Sequence, residues 1–393
     1  MANIPVKWVH SGMRGAPVIN GTAGALIAAL KTFLITGFAP TASVSASVLD
    51  GIATIVLPAG QTFEEHSVVL LGGVLTGEER VLTSASDRIT VATAVPNGPI
   101  SGSITVRYAP VGGWEEVFSK TNVSVFRSTD ITGSRFYLRV DDTGTLFARV
   151  RAYESMTDVD TGTGPFPTDS MMNGGGYWHK SSVASAAAAK WKMFADSKML
   201  QLAIAPNSAQ TATLIATSLR GFGDPIALSA GGDPFVSLLS VTGVGGGNTS
   251  NGALDNSQLS NNSGMTCVAR AVSGLGGSVQ CHPQAFTGFL NEMSGSSAAL
   301  GKVPSEVDGQ IKLSKLFIRE AGSNDRPPRA IIPGAVFIPQ TGANAVLNDG
   351  DLLNGAGEFA GCKLMAVPTA IGTNAVPTAM YLVNVTGPWR AQA

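Results

Sequence analysis

Residues 135–153 read RFYLRVDDTGTLFARVRAY, and the alternation in this stretch decides the fold. Phe136, Leu138 and Val140 alternate with Arg135, Tyr137, Arg139 and Asp141, a period of two that places apolar and polar side chains on opposite faces of a strand. Asp142, Thr143 and Gly144 follow as a turn, with Gly144 free to take the positive φ of a bulged hairpin loop. The alternation then resumes. Leu146, Ala148, Val150 and Ala152 lie on one face, and Phe147, Arg149, Arg151 and Tyr153 on the other. The polar face carries four arginines with aromatic and acidic companions, more charge than a solvated strand needs.

Working outward, the same signals recur. Ile52–Leu57, Ser67–Leu71, Asp87–Ala92 and Ser103–Tyr108 read as strands, punctuated by Pro58-Ala59-Gly60, Gly72-Gly73 and Pro96-Asn97-Gly98-Pro99. Short strands without intervening helices predict a small sandwich or barrel. Upstream, Trp8 and Val9 sit in a short strand. Leu26, Ala29, Leu30, Phe33 and Leu34 form an apolar stripe on a helix over about 20–36, stopped by Gly37 with Pro40 beyond. Its one charge is Lys31, so this helix is expected to be buried, in its own domain or against another subunit. Downstream, Ser181-Ser182 followed by Val183, Ala187, Trp191 and Phe194 predicts a second helix over about 182–195. Met199–Ile204, Thr213–Ala216, Ile311–Arg319 and Tyr381–Val385 read as further strands, with Ile311, Leu313, Lys315 and Phe317 on one side of theirs. The stretch 244–264 is rich in Gly, Asn and Ser and reads as a long loop. Ala366–Ala370 recurs as Ala375–Ala379, a duplication that occurs twice only and makes no solenoid.

The expected architecture is mainly β: several small antiparallel sandwich or barrel-like modules with two short helices. A docking segment spans 1–45, a small β domain 46–112, a central α+β domain 113–235, and a β-rich domain 236–393.

Composition narrows the function. Charged residues make up 13% of the 393, against about 25% in typical soluble proteins. Sparse charge suits a chain whose surface is covered by copies of itself or by neighbours. A net charge of −1 provides no basic stripe for phosphates and argues against nucleic-acid binding. The start lacks the pattern of a signal peptide, and the most apolar segment, Ala23–Ala39, is short for a bilayer and interrupted by Lys31 and Gly37. Cytoplasmic synthesis without membrane insertion is the expectation. Cys267, Cys281 and Cys362 carry no C-x-x-C spacing and are expected as free thiols, not zinc ligands.

Chemistry-bearing constellations are sparse. The four histidines, His10, His66, His179 and His282, come with no G-x-S-x-G elbow. Neighbouring carboxylates such as Glu115-Glu116 point to opposite faces of a strand, whereas a glycosidase needs two facing one cleft. Gly245–Gly247 and Gly274–Gly277 lack the Lys-Ser/Thr of a phosphate loop. The acidic turns Asp158–Gly162 and Asn348–Asp351 miss the EF-hand spacing and read as Asx turns. No catalytic, cofactor-binding or metal-binding residue is assigned.

Three runs carry a resemblance: FYLRVDDTGTLFARVRAYESMTDVDTGTGPFP (136–167), GGGYWHKSSVASAAAAKW (174–191) and the opening VKWVHSGMRGAPVINGTAGALIAALKTFLITGFAP (6–40). Together with the closing TGPWR, they resemble a family of tailed-bacteriophage virion structural proteins associated with the tail or baseplate. The resemblance rests on phrasing over the first half and the last thirty residues, not on a catalytic signature. It implies a non-enzymatic virion component, assembled in the host cytoplasm as a trimer or ring and joined to other virion proteins and tail fibres. A receptor-binding or glycan-processing fibre protein is the rival, since Tyr177, Trp178, Trp114 and Trp191 are the kind of aromatics that stack on sugars. A head decoration or collar protein differs from the first only in location. The candidate interface is Trp8, Leu30, Phe33, Arg135, Arg139, Arg149, Arg151, Tyr177 and Trp178, with the arginines placed to pair with acids of another copy.

Overall fold

A computed structural model describes residues 4–61, 63–206, 217–243, 264–285, 300–321, 327–369, 377 and 379–390. It is mainly β, 48% strand and 6% helical, with antiparallel sheets throughout. Thr213–Ala216, the Gly/Asn/Ser-rich stretch up to residue 263 and most of the second Ala-Val-Pro-Thr-Ala copy lie outside the described residues.

Strands Phe38–Ala42, Ser45–Leu49, Ile52–Val56, Val68–Gly73, Gly77–Ala85, Arg88–Ala92, Gly98–Pro99 and Ile104–Tyr108 build an eight-stranded sheet. Its two ends meet because they are made of continuous chain. Strand 38–42 runs on into 45–49, and 98–99 runs on into 104–108. Ser43 N donates to Ile104 O at 2.8 Å and Ile100 N to Ala46 O at 2.9 Å, which closes the seam and rolls the sheet into a barrel-like module. Alternate residues, among them Ala46, Val48, Ala53, Ile55, Ile89, Val91, Ile104 and Val106, are buried. The roll is filled by side chains, as a small barrel should be.

The other strands form one nineteen-stranded sheet in three runs. A meander joins Trp114–Lys120, Val123–Ser128, Tyr137–Asp141 and Phe147–Met156. A second run pairs Lys7–His10 with Lys190–Ala195, then Met199–Ala205 and Ser218–Gly223. The third passes from Leu238–Thr242 through Gly264–Val268, Val279–Ala285, Ser314–Glu320 and Ala330–Phe337 to Ala379–Asn384 and Lys363–Thr369. Leu238–Thr242 joins the runs, with Thr242 opposite Tyr177 on strand Gly176–His179, which pairs with Phe147–Met156 of the first run, and Leu239 opposite Phe222 of the second. On Ser314–Glu320 the fully buried side is Leu316 and Ile318, while Lys315 and Phe317 are half-buried.

The N-terminal helix is α from Ala25 to Lys31 and π from Thr32 to Thr36, and Gly37 ends it at φ 70°. Its whole stripe, Leu26, Ala29, Leu30, Phe33 and Leu34, is buried in this chain's own core. The helix expected over 182–195 is not there. Residues 182–186 are bends, and Lys190–Ala195 is a strand. The helical spacing of Trp191 and Phe194 was misleading because this strand is covered on both faces, leaving Trp191 to Ala195 all buried and erasing the period of two. Tertiary pairing overrides the helix propensity of the alanines: Gly21 N donates to Ser185 O, Ala189 N to Ile19 O, and Asn20 bridges Ala188. A Cβ on Gly21 would sit 1.9 Å from Val183 O, so the two segments meet only at a glycine.

Both chain ends tie the barrel module to the large sheet. Lys7 Nζ donates to Val111 O at 2.6 Å and pairs with Glu78 at 2.9 Å, while burial pulls its pKa down against that pairing. Trp8 Nε1 donates to His66 O at 3.2 Å. From the other side, Arg80 donates to Val385 O and Thr386 O near the C-terminus. At that end the Trp389 indole donates to Asn384 O, and Arg390 reaches Asp196 at 2.7 Å and Asp224 O.

Candidate interaction surface

The paired strands of the hairpin read from the sequence are in place, with Tyr137 opposite Tyr153, Arg139 opposite Arg151 and Asp141 opposite Arg149, but Gly144 in the connection does not take the positive φ expected of it. Leu138, Val140, Ala148, Val150 and Ala152 on its inner face are fully buried. The outer face extends across neighbouring strands, so that Glu115, Arg127, Tyr137 and Tyr153 form one cross-strand row and Val123, Asp141, Arg149 and Tyr177 another.

Arg127, Arg139, Arg149 and Arg151 on this face are each held within the chain. Arg127 donates to Glu115 (2.9 Å) and to the Tyr137 hydroxyl (2.6 Å), with its guanidinium over the Tyr137 ring. Arg139 donates to Val159 O (2.8 Å) and to Asp160 (2.9 Å), which Lys120 also engages. Arg149 lies over the Tyr177 ring at 4.7 Å and donates to that hydroxyl, to Gly174 O and to Asn173 O. Arg151 donates to Pro167 O at 3.0 Å and pairs with Asp169 at 3.0 Å. Arg139 and Arg151 stand side by side across the strands, and like charges there are unfavourable. The acidic turn 158–161 draws one guanidinium away and the loop 167–176 draws the other. Glycine permits that loop to lie flat: at Gly175, φ +94°, a Cβ would be 2.5 Å from Val150 O and 2.9 Å from Arg151 Cβ. The side chains of Arg139 and Arg151 are left 18% and 11% exposed.

The remaining candidates divide in the same way. Trp8, Leu30, Phe33 and Trp178 are 2%, 0%, 1% and 0% exposed, so the chain's own core takes them and they have no surface to offer a partner. The Trp178 indole donates to Ser240 O at 2.7 Å. Tyr177 is half-buried against Phe147 and Arg149. Arg135 is half-buried at a positive φ of 56°, and its Nε finds no hydrogen-bond partner among the described residues.

Beneath the hairpin turn lies a contact the sequence reading did not single out. Asp142, fully buried, accepts from Lys180 Nζ, Leu26 N (2.7 Å) and Ile27 N, and Lys180 also donates to Thr22 O. Burial pushes the Asp142 carboxyl up, opposed by Lys180 and the two amides. One carboxylate thus joins the hairpin turn, the start of the helix and residue 180. The only signal in the sequence was a second Asp directly after Asp141, too common beside turns to read. A second buried group, Arg329 with Asp233 (2.7 Å) and Glu320 (2.7 Å), brings together residues far apart in sequence.

The acidic turn at 158–162 is an Asx turn, with Asp158 Oδ1 accepting from Asp160 N and Thr161 N; at 348–351 the bond runs the other way, Asp351 Oδ2 accepting from Asn348 N three residues before it, so that turn is not the Asx turn expected. Asp160 and Asp349 are engaged by Lys120, Arg139 and Lys192. Among the described residues no group of three His, Cys, Asp or Glu is placed to hold a metal ion. The three cysteines are free thiols, and burial pushes Cys267 up to about 12. His282 is buried beside Arg319, and burial, reinforced by that charge, lowers it to about 4. No helix among the described residues is long and apolar enough to cross a membrane.

No family model matches the chain, and no curated protein matches it either.

Proposed function

We propose that this protein is a structural, non-enzymatic component of a tailed-phage virion. It stands in the tail tip or baseplate in several copies, where it joins the tail to fibres or neighbouring proteins. The observation that carries this reading is the way both chain ends bind the two β bodies together. Strand Lys7–His10 is paired into the large sheet while Lys7 and Trp8 bond to the barrel module, and Arg80 of that module bonds back to residues 385 and 386. A two-body chain clamped at both termini resists hinging, which suits a part that transmits load and not one that opens around a substrate. The low charge of the chain and the resemblance of its opening and central runs to tail-associated proteins point the same way.

A sugar-binding reading needs an aromatic platform, and Trp178, its best candidate, is fully buried. Mass spectrometry and cryo-electron microscopy of particles from the phage that encodes the chain test the proposal. Symmetric density at the tail end is the expected result. Absence of the chain from intact particles overturns it.

A further inference from the structure

Among the described residues, Asp142 and Lys180 are the one ion pair in which both side chains are fully buried. Lys180 Nζ carries three protons and finds two acceptors, Thr22 O at 2.6 Å and Asp142 Oδ1. The other carboxylate oxygen, Oδ2, accepts from two backbone amides, Leu26 N at 2.7 Å and Ile27 N at 3.3 Å. An amine is thus held against one oxygen of a carboxyl group, while two N–H donors point at the oxygen that would gain charge if the amine attacked the carbon. Neither side chain is open to water, and burial pushes the Asp142 carboxyl toward its neutral form.

We propose that Lys180 and Asp142 join covalently, through an intramolecular isopeptide bond between Nζ and Cγ that forms once folding has buried them. The step balances within the pair. One proton passes from the ammonium to Oδ1, leaving an amine and a carboxylic acid. The Nζ lone pair attacks Cγ, and the charge that develops on Oδ2 is held by the amides of Leu26 and Ile27. The Cγ–Oδ1 bond then breaks, a second proton leaves Nζ with that oxygen, and one water departs. The third proton remains as the N–H of the new amide.

The product suits the site better than the ion pair does. Its N–H keeps Thr22 O, its C=O keeps Leu26 N and Ile27 N, and no charge remains buried. The other buried lysines lack this arrangement. Glu78, the partner of Lys7, is 17% exposed and accepts from one backbone amide, Ile4 N. Asp349, the partner of Lys192, has an Oδ1 that accepts no hydrogen bond among the described residues, so nothing there would hold the developing charge. The bond would close residues 142–180 into a ring that contains the loop 167–176, fixing the cover of the hairpin face.

The test is mass spectrometry of the purified full chain under denaturing conditions, and it does not depend on the virion reading. The intact mass should fall one water below that of the sequence, after allowance for loss of Met1. Trypsin should fail to cut after Lys180 and should yield a branched peptide joining 140–149 to 152–190. Lys180→Arg, which keeps the charge and removes the amine, should restore the missing water. A full mass, with 140–149 and 152–180 recovered as separate peptides, overturns the inference. A one-water deficit that survives in Lys180→Arg overturns it as well. Should that variant not fold, the branched peptide of the unsubstituted chain decides alone, since it reads covalent structure and not stability.

Discussion

The outer face of the hairpin and the outward wall of the barrel module, strands Ser45–Leu49, Ile52–Val56 and Arg88–Ala92, are both antiparallel sheet surfaces, and they reverse what their sequences advertise. The hairpin face, with Arg139, Arg149 and Arg151, looks like an interface and is covered by the chain's own turn 158–161 and loop 167–176. The barrel wall, with its serines and threonines, looks like nothing and is left open. Charge in a sequence marks groups that must find partners; it does not say whether those partners are inside the molecule.

The largest break in this comparison should come at the foot of the hairpin. Asp142→Ala leaves Lys180 buried with only the Thr22 carbonyl, and should cost about 3–5 kcal/mol. Urea unfolding measures it, and a loss below about 1 kcal/mol would mean that water reaches the pair. Next comes acid, which sets the baseline against which both regions are compared. His282 is neutral when folded down to about pH 4, while the unfolded chain protonates near 6.5. Its contribution is complete above 6.5 and is lost as pH falls toward 4, up to about 3 kcal/mol. His282→Gln should flatten that slope in unfolding titrations. Arg151→Ala removes the bonds to Pro167 O and Asp169 and should cost about 2 kcal/mol, with faster hydrogen exchange confined to 167–176. The smallest effect belongs to the wall: Thr54→Ala should change stability by less than about 0.5 kcal/mol. If Arg151→Ala were as silent as Thr54→Ala, the two faces would not differ in kind and the hairpin face would be available to a partner.

Part of this was legible without coordinates. The period of two in 135–153 identified the hairpin and its buried side, and the stripe from Leu26 to Leu34 identified a helix with no polar face. Both are local patterns, in which neighbouring side chains report their common environment. The segment 182–195 was misread for the complementary reason. A strand covered on both faces shows no alternation, and its pairing partner lies some 180 positions away at residues 7–10. The candidate surface failed at the same boundary: Arg151 and its acceptor Pro167 are separated by a loop whose path the alternation does not encode.

By itself, then, the sequence determined the class of the molecule, its hairpin, its buried N-terminal helix and its scarcity of charge, because periodicity and composition act over a few residues. Only the tertiary structure decided which polar groups are satisfied internally, how the two ends clamp two β bodies together, and which sheet face stays open. Those outcomes depend on contacts such as Asp142 with Lys180 and Arg80 with Val385, whose members meet only after the chain has folded.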